Sequence, residues 1–322
     1  MGKLQRYFWP KTAFLFYLNE EKIEAAFGYI EKDEIDLQER RTIPFEKRSE
    51  LIAWYEEIRR TYPKTYVAAM LDTVNQGALP QCNKSAYERF GVDAALVHSL
   101  CVDDKWLAYT SLVEMKWFEQ KFKEIEFDFL YSPFVLLYRR SQSLFENEPA
   151  LYMLHQKGVV FMAVFSKERM WYANVLIVSE TRAESESLGT ETEAEEEGLA
   201  FNLDMLGEED EEGIEPISDI DILGEFKEDV GENGTEIGDE SALELLEYNL
   251  NLFEEMKDAI AKFYHDDRYP HAFVEKVTIF DMDDLGSDFV RYIEDELFMQ
   301  ASLLRFDPID VMTLLVPEEV GK

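Results

Sequence analysis

The sequence is short of several things, and each shortage excludes a class of function. It has two cysteines, Cys82 and Cys101, in 322 residues. That is too few for a disulfide framework or a cysteine-based zinc site, so two buried free thiols in a reducing cytoplasm are expected. It has four histidines: His98, His155, His265 and His271. Only the last two are neighbours, and their spacing fits no zinc motif, so His265 reads as part of a polar helix end. No apolar run approaches the roughly 20 residues that span a bilayer. The opening MGKLQRYFWPK lacks the apolar centre of a secretory signal, and Arg6 stands where a myristoylation motif needs Ser or Thr. There is no G-x-S-x-G, no P-loop and no Cys–His pair at catalytic spacing. Basic residues are few: 32 Lys and Arg stand against 68 Asp and Glu, a net charge of −36. Nucleic acid and anionic lipid both call for basic patches, so neither is an expected partner.

The acid that is present is concentrated. Between Glu180 and Glu240, 24 Asp and Glu stand against Arg182 and Lys227, which accounts for −22 of the net charge and leaves about −14 elsewhere. So much charge with so little apolar content cannot offset the entropy of ordering, and residues 180–240 are expected to be a disordered insertion. Inside it, IEPISDIDILGEF (Ile214–Phe226) sets Ile217, Ile220, Ile222, Leu223 and Phe226 among acids. That pattern suits a short linear motif that folds on a basic partner; the plainer reading is a spacer with incidental aliphatics.

Outside the insertion, periodicity marks two copies of one unit. Ala150 to Glu180 reads as three antiparallel strands, Leu151–Leu154, Val159–Phe165 and Trp171–Val178, with turns at Gln156-Lys157-Gly158 and Ser166–Arg169. Earlier, Ala13–Leu18, Ile23–Ile30 and Ile35–Ile43 repeat the plan. After the first copy come a helix from Arg48 to Tyr62, a buried strand from Thr65 to Leu71, and a loop from Asp72 to Pro80. A long helix is expected over Asp103–Ile125, with Trp106, Tyr109, Val113, Trp117, Phe118, Phe122 and Ile125 as its apolar stripe. Trp106 and Trp117 are expected in the core. Glu126–Tyr131 follows as a strand, then Pro133–Arg139 as a short helix or extended segment. After the insertion the expectation is a helix over Ser241–Tyr264, a strand over Val274–Phe280, a loop over Asp281–Gly286, a helix capped by Ser287 and running to Met299, and a final strand over Ile309–Val316.

The two meanders, the run IEFDFLYSPFVLLY (Ile125–Tyr138) and VEKVTIFDMDDLGSDFVRYIEDEL (Val274–Leu297) together resemble the actin/sugar-kinase/Hsp70 ATPase superfamily. Within it the chain is most similar to the type IV pilus M protein and the cytoplasmic domain of the type II secretion L component. The resemblance implies a duplicated, two-lobed fold of the α/β (α+β) class, ribonuclease H-like in each lobe. It places a first lobe at 1–145 and a second at 146–322, interrupted at 180–240.

Nucleotide-binding members of that superfamily carry an Asp and glycines in the first turn of each meander and a glycine pair after the late strand, so that backbone amides can approach phosphates. Here the first turn is Leu18-Asn19-Glu20-Glu21-Lys22, without glycine. The second is His155-Gln156-Lys157-Gly158, without Asp. The third is Asp281-Met282-Asp283-Asp284, with a lone Gly286. Asp281, Asp283 and Asp284 invite comparison with a Mg²⁺ or Ca²⁺ site, but the spacing is not that of an EF-hand, and Asp suits a loop before a helix anyway. The expectation is therefore no catalytic residue, no cofactor and no metal. The resemblance implies a non-catalytic cytoplasmic scaffold, peripheral to the inner membrane, in a type IV pilus, type II secretion or competence DNA-uptake machine. Its partners would be tails of inner-membrane assembly proteins and the assembly ATPase. The alternative is an actin-like ATPase or kinase that binds ATP and Mg²⁺ through degenerate motifs. A third class is an acidic decoy or chaperone whose active part is the insertion.

Overall fold

Apolar strands, buried almost throughout at the centre, build two five-stranded sheets. The structure is a computed structural model and describes residues 9–156, 158–178, 238–270 and 272–321. The first sheet contains β1 (Thr12–Asn19), β2 (Lys22–Glu31), β3 (Glu34–Pro44), β4 (Thr65–Met70) and β8 (Phe129–Tyr131), in the order β3-β2-β1-β4-β8. The second contains β9 (Ala150–Gln156), β10 (Val159–Phe165), β11 (Met170–Ile177), β12 (Lys276–Asp281) and β13 (Gln300–Arg305), in the order β11-β10-β9-β12-β13. In both, three antiparallel strands are followed by parallel ones laid against the first strand. The same strand order twice, with helical crossovers between the parallel strands, is a duplicated actin-like arrangement.

β1 shows how the layers form. All of Thr12–Leu18 is buried, because both faces of a central strand are covered. Phe14, Phe16 and Leu18 meet Leu51, Trp54, Tyr55 and Ile58 of α1 (Arg48–Thr61), together with Phe118 and Phe122. Ala13, Leu15 and Tyr17 face the other way, into a core shared with Tyr152, Leu154, Phe161 and Phe165 of the second sheet. Each fully buried large apolar side chain contributes about 1.5–3 kcal/mol.

Two helices fill that shared core, and each packs on strands from the other half of the chain. α4 (Pro133–Ser141) lies on β9 and β10, while α7 (Pro308–Gly321) lies on β1 to β4. Both begin with a proline behind a capping oxygen. Ser132 Oγ accepts from the Phe134 amide (3.3 Å), and Asp307 Oδ1 accepts from the Ile309 amide (2.9 Å). Asp307 also pairs with Arg40 of β3.

Several expectations are corrected. Asp103–Ile125 is not one helix. β6 (Val97–Val102) and β7 (Trp106–Ser111) form a hairpin, and only Leu112–Lys121 is helical (α3). Asp103 and Asp104 both take positive φ, which Asp tolerates, and that reverses the chain. With β5 (Gln76–Leu79) the hairpin makes a third sheet in the order β5-β7-β6, backed by α2 (Lys84–Arg89). Trp106 is buried there as expected, whereas Trp117 and Val113 are exposed.

The cysteines are not free thiols: Cys82 and Cys101 form a disulfide that ties β6 to the segment before α2. Neither is among the buried residues. Their Cα atoms are 5.5 Å apart, a relation invisible along the chain. Ile309–Val316 is helix rather than strand, because its apolar run has Pro308 and the Asp307 cap in front of it. The helix expected to run to about Met299 ends at Leu297 (α6, Ser287–Leu297), where Phe298 turns to φ 54°, and the edge strand β13 that follows it was not expected. The cap of α6 is Gly286 (φ 89°), with Ser287 its first helical residue.

The helix expected at Ser241 runs over Gly238–His265 (α5). Of the segment 180–240, the five-residue motif Ile217, Ile220, Ile222, Leu223 and Phe226 lies outside the described residues. One compact unit comprises Met1–Val178 and Asn249–Lys322; Ser179–Tyr248 is assigned to a second. No helix among the described residues is long and apolar enough to cross a membrane.

Candidate functional site

The three turns singled out in the sequence come together at the C-terminal ends of β1, β9 and β12, and they bond to one another. Asn19 Nδ2 donates to Asp283 Oδ1 at 2.7 Å. Gln156 Nε2 donates to the Leu18 carbonyl oxygen at 3.3 Å. The first links the first sheet's turn to the loop after β12, and the second links it to the turn after β9. Residues that a bridging ligand would have to join are thus joined by side chains.

Beneath these links lies a buried pair. His155 Nδ1 and Asp281 Oδ1 are 2.7 Å apart, and both side chains are almost fully covered. They are opposite one another in the parallel pair β9–β12. The amides of Leu285 (2.9 Å) and Asp283 (3.1 Å) also donate to the Asp281 carboxylate. Burial alone would raise the Asp281 pKa. The His155 hydrogen bond and the two amides outweigh it and hold the group below the usual carboxylate range. The neighbouring acids have separate partners, with Asp283 bound to Asn19 and Asp284 to Arg305 (3.1 Å). The triad considered as a cation site is therefore spread over three separate interactions. Among the described residues no group of three or more His, Cys, Asp or Glu side chains is arranged to hold a metal ion.

Beside the turns is a cavity of about 210 Å³, walled by Leu18, Val74, Val159 and Phe161, with Glu20 and Asp72 at its edge. Ligand sites for drug-sized molecules run from about 300 to 1,000 Å³. Asp72 Oδ2 pairs with Lys121 of α3 (2.7 Å), while its Oδ1 is buried without a partner. The space is small, its edge carries carboxylates, and the opposing turns already hold each other. A phosphate placed about 4 Å from one carboxylate meets a repulsion of roughly 1 kcal/mol in water and about 4 at an effective dielectric of 20. A wider hollow of about 520 Å³ opens between α1 and residues 123–126, away from these turns and lined by both signs of charge.

Sequence reasoning named the three turns but missed their bonding. Asn19 and Asp283 are 264 positions apart, and His155 and Asp281 are 126 apart. Only the strand order brings them together.

Comparison with known proteins places the sequence. A family model described as Domain of unknown function (DUF8341) matches residues 151–321, just over half of the chain. The chain belongs to the DUF8341 family. A second model, Domain of unknown function (DUF8569), matches residues 9–138 of this DUF8341 member. No curated protein matches it. Among solved structures it is similar to the PilM-PilN type IV pilus biogenesis complex, at 12% identity and a TM-score of 0.50, with 93% of this chain and 89% of that one covered. It also matches a Bacteroides thetaiotaomicron protein of unknown function with an actin-like ATPase fold, at 10% identity, a TM-score of 0.45, and 98% and 99% coverage. MreB5 of Spiroplasma citri, bound to ADP, matches at 9% identity, a TM-score of 0.43, and 97% and 96% coverage. The fold of this DUF8341 chain is the actin-like ATPase fold, as the doubled strand order indicates and the likeness to PilM supports.

Proposed function

We propose that this chain is a non-catalytic docking scaffold, an actin-like body with lobes 1–145 and 146–322 whose nucleotide cleft has become a structural joint. The observation that carries the reading is the direct bonding of the three turns, Asn19 to Asp283 and Gln156 to Leu18, over the buried His155–Asp281 pair. In an actin-like fold these turns face the nucleotide phosphates, and here they face each other. The similarity to PilM, in a complex with PilN, supports a partner protein as the ligand. The role this suggests is in a pilus, secretion or competence assembly platform at the inner membrane, holding partner tails and the assembly ATPase without nucleotide of its own.

Crosslinking in intact cells followed by purification from the membrane fraction tests the role. Specific recovery of inner-membrane assembly proteins is the expected result, and recovery of none overturns it. The second reading, an actin-like ATPase, is favoured by the fold alone. Phosphate release from MgATP above that of an Asp281→Ala variant would support the ATPase and sink the scaffold.

A further inference from the structure

Six strands end a sheet among the described residues, and five of them are protected. An open edge offers unpaired backbone groups to any passing chain, so proteins blunt their edges with charge, brevity or cover. β3 carries Glu34, Asp36, Glu39, Arg40 and Arg41. β8 has only three residues. The end strands β11 and β5 lie against each other. β13 begins and ends with exposed Gln300 and Arg305, and α6 packs on it.

β6 differs. It is the last strand of the order β5-β7-β6, and its sequence, VHSLCV, contains neither acid nor Lys or Arg. Leu100 within it is 59% exposed, and Leu96 just before it is 62% exposed. Leu96, His98 and Leu100 share one face by the two-residue period of a strand. The Leu112 amide donates to the Leu96 carbonyl (2.9 Å), which sets the start of α3 beside the start of β6. Val113 and Trp117, one helical turn apart, are 59% and 73% exposed. Thus four of the twelve large apolar side chains exposed among the described residues come from this one junction. The strand is also held in place: Cys101 is bonded to Cys82, and Ser99 Oγ to the Tyr87 hydroxyl.

We propose that the free edge of β6 is a docking strand for an extended, apolar and basic segment of a partner protein. The segment adds to the small sheet by backbone hydrogen bonds and sets its alternate apolar side chains on Leu96, Leu100, Val113 and Trp117. Charge selects this occupant. Asp93 lies before the strand, Asp103 and Asp104 follow it, and the chain is net negative even without residues 180–240. A second copy of this chain or an anionic membrane would be repelled, whereas Lys and Arg flanking the apolar positions would be attracted. This deepens the docking role proposed above by naming its surface.

The test uses the full chain and a fluorescent peptide of about ten alternating Val and Lys residues, followed by anisotropy at about 0.15 M salt. Saturable binding is expected, with slowed amide exchange over Val97–Val102. Leu100→Lys, on an exposed site, should weaken binding by about tenfold or more with an unchanged thermal midpoint, and Trp117→Ser by about threefold. N-methylation of alternate peptide residues should abolish binding, since it removes strand pairing and keeps every charge. No binding, or binding that survives methylation and Leu100→Lys, overturns the proposal; the latter result means the peptide is held by acidic charge alone. A chain that binds this peptide at β6 and also hydrolyses ATP would sink the scaffold reading and leave this one standing.

Discussion

The two halves share a strand order and fasten it differently. In the second half, the C-terminal ends of the two central parallel strands are locked by a buried pair, His155 on β9 and Asp281 on β12, with two amides completing the carboxylate. In the first half, the corresponding strands β1 and β4 end at Asn19 and Met70, with Asp72 two residues beyond β4. Asp72 is held by Lys121, whose side chain is about one-third exposed. The first half puts its extra structure between β4 and α3, as a small sheet closed by a disulfide. Both halves keep the near-continuous apolar runs of their central strands, while the turns take different chemistry. On the proposed reading, that freedom in the turns is what lets a nucleotide cleft become a joint.

The comparison breaks most sharply at Asp281. Asp281→Ala leaves His155 and two amides without their acceptor, and should cost about 3–5 kcal/mol in urea unfolding. A cost near that of a surface substitution would show that the pair does not fasten the second half. Acid should act in the same direction. The folded-state pKa of Asp281 is depressed, so its contribution is fully present above the unfolded value. It is lost as pH falls through the lower folded value, below about pH 4. A thermal-midpoint series from pH 6 to about pH 3, in which Asp281→Ala loses the acid-side slope of the parent, checks the sign.

Next in size is the disulfide. Its ends are 19 positions apart, so reducing it or making Cys82→Ala should cost about 3 kcal/mol on the chain-entropy account. Faster amide exchange should appear in β6 and β7 and leave β9–β12 unchanged; loosening of both would mean the small sheet is no separate device. Gly286→Ala places a side chain at φ 89° and should cost about 1 kcal/mol, with α6 fraying first. Lys121→Met, removing the partly exposed partner of Asp72, should change stability by less than about 1 kcal/mol. If it matched Asp281→Ala, the contrast between the halves would fail.

Both meanders were legible in the sequence because runs rich in β-branched and aromatic residues lie between polar turns. The hairpin at Val97–Ser111 was not. Its buried face uses small or polar Ala108 and Thr110, while Trp106, Tyr109, Val113 and Trp117 happen to fall at helical spacing. Val113 and Trp117 point to solvent, whereas Trp106, Phe118, Phe122 and Ile125 of the same stripe are buried from different elements. The run Ile309–Val316 is apolar almost throughout, and such a run has no period that tells strand from helix. At the cleft, the lost glycines and added carboxylates were visible residue by residue. The bonds among Asn19, Asp283, His155 and Asp281 were not, because they depend on strand register across more than a hundred positions.

The central claim is that side chains, not nucleotide, close the cleft. The thermal midpoint of the full chain with and without about 5 mM MgATP tests it directly. A ligand held at a hundred times its dissociation constant stabilises a protein by about 2.7 kcal/mol, or several degrees in a chain of this size. The account predicts a midpoint unchanged to within about half a degree. A rise of several degrees that disappears when Asn19 and Asp283 are replaced would contradict it.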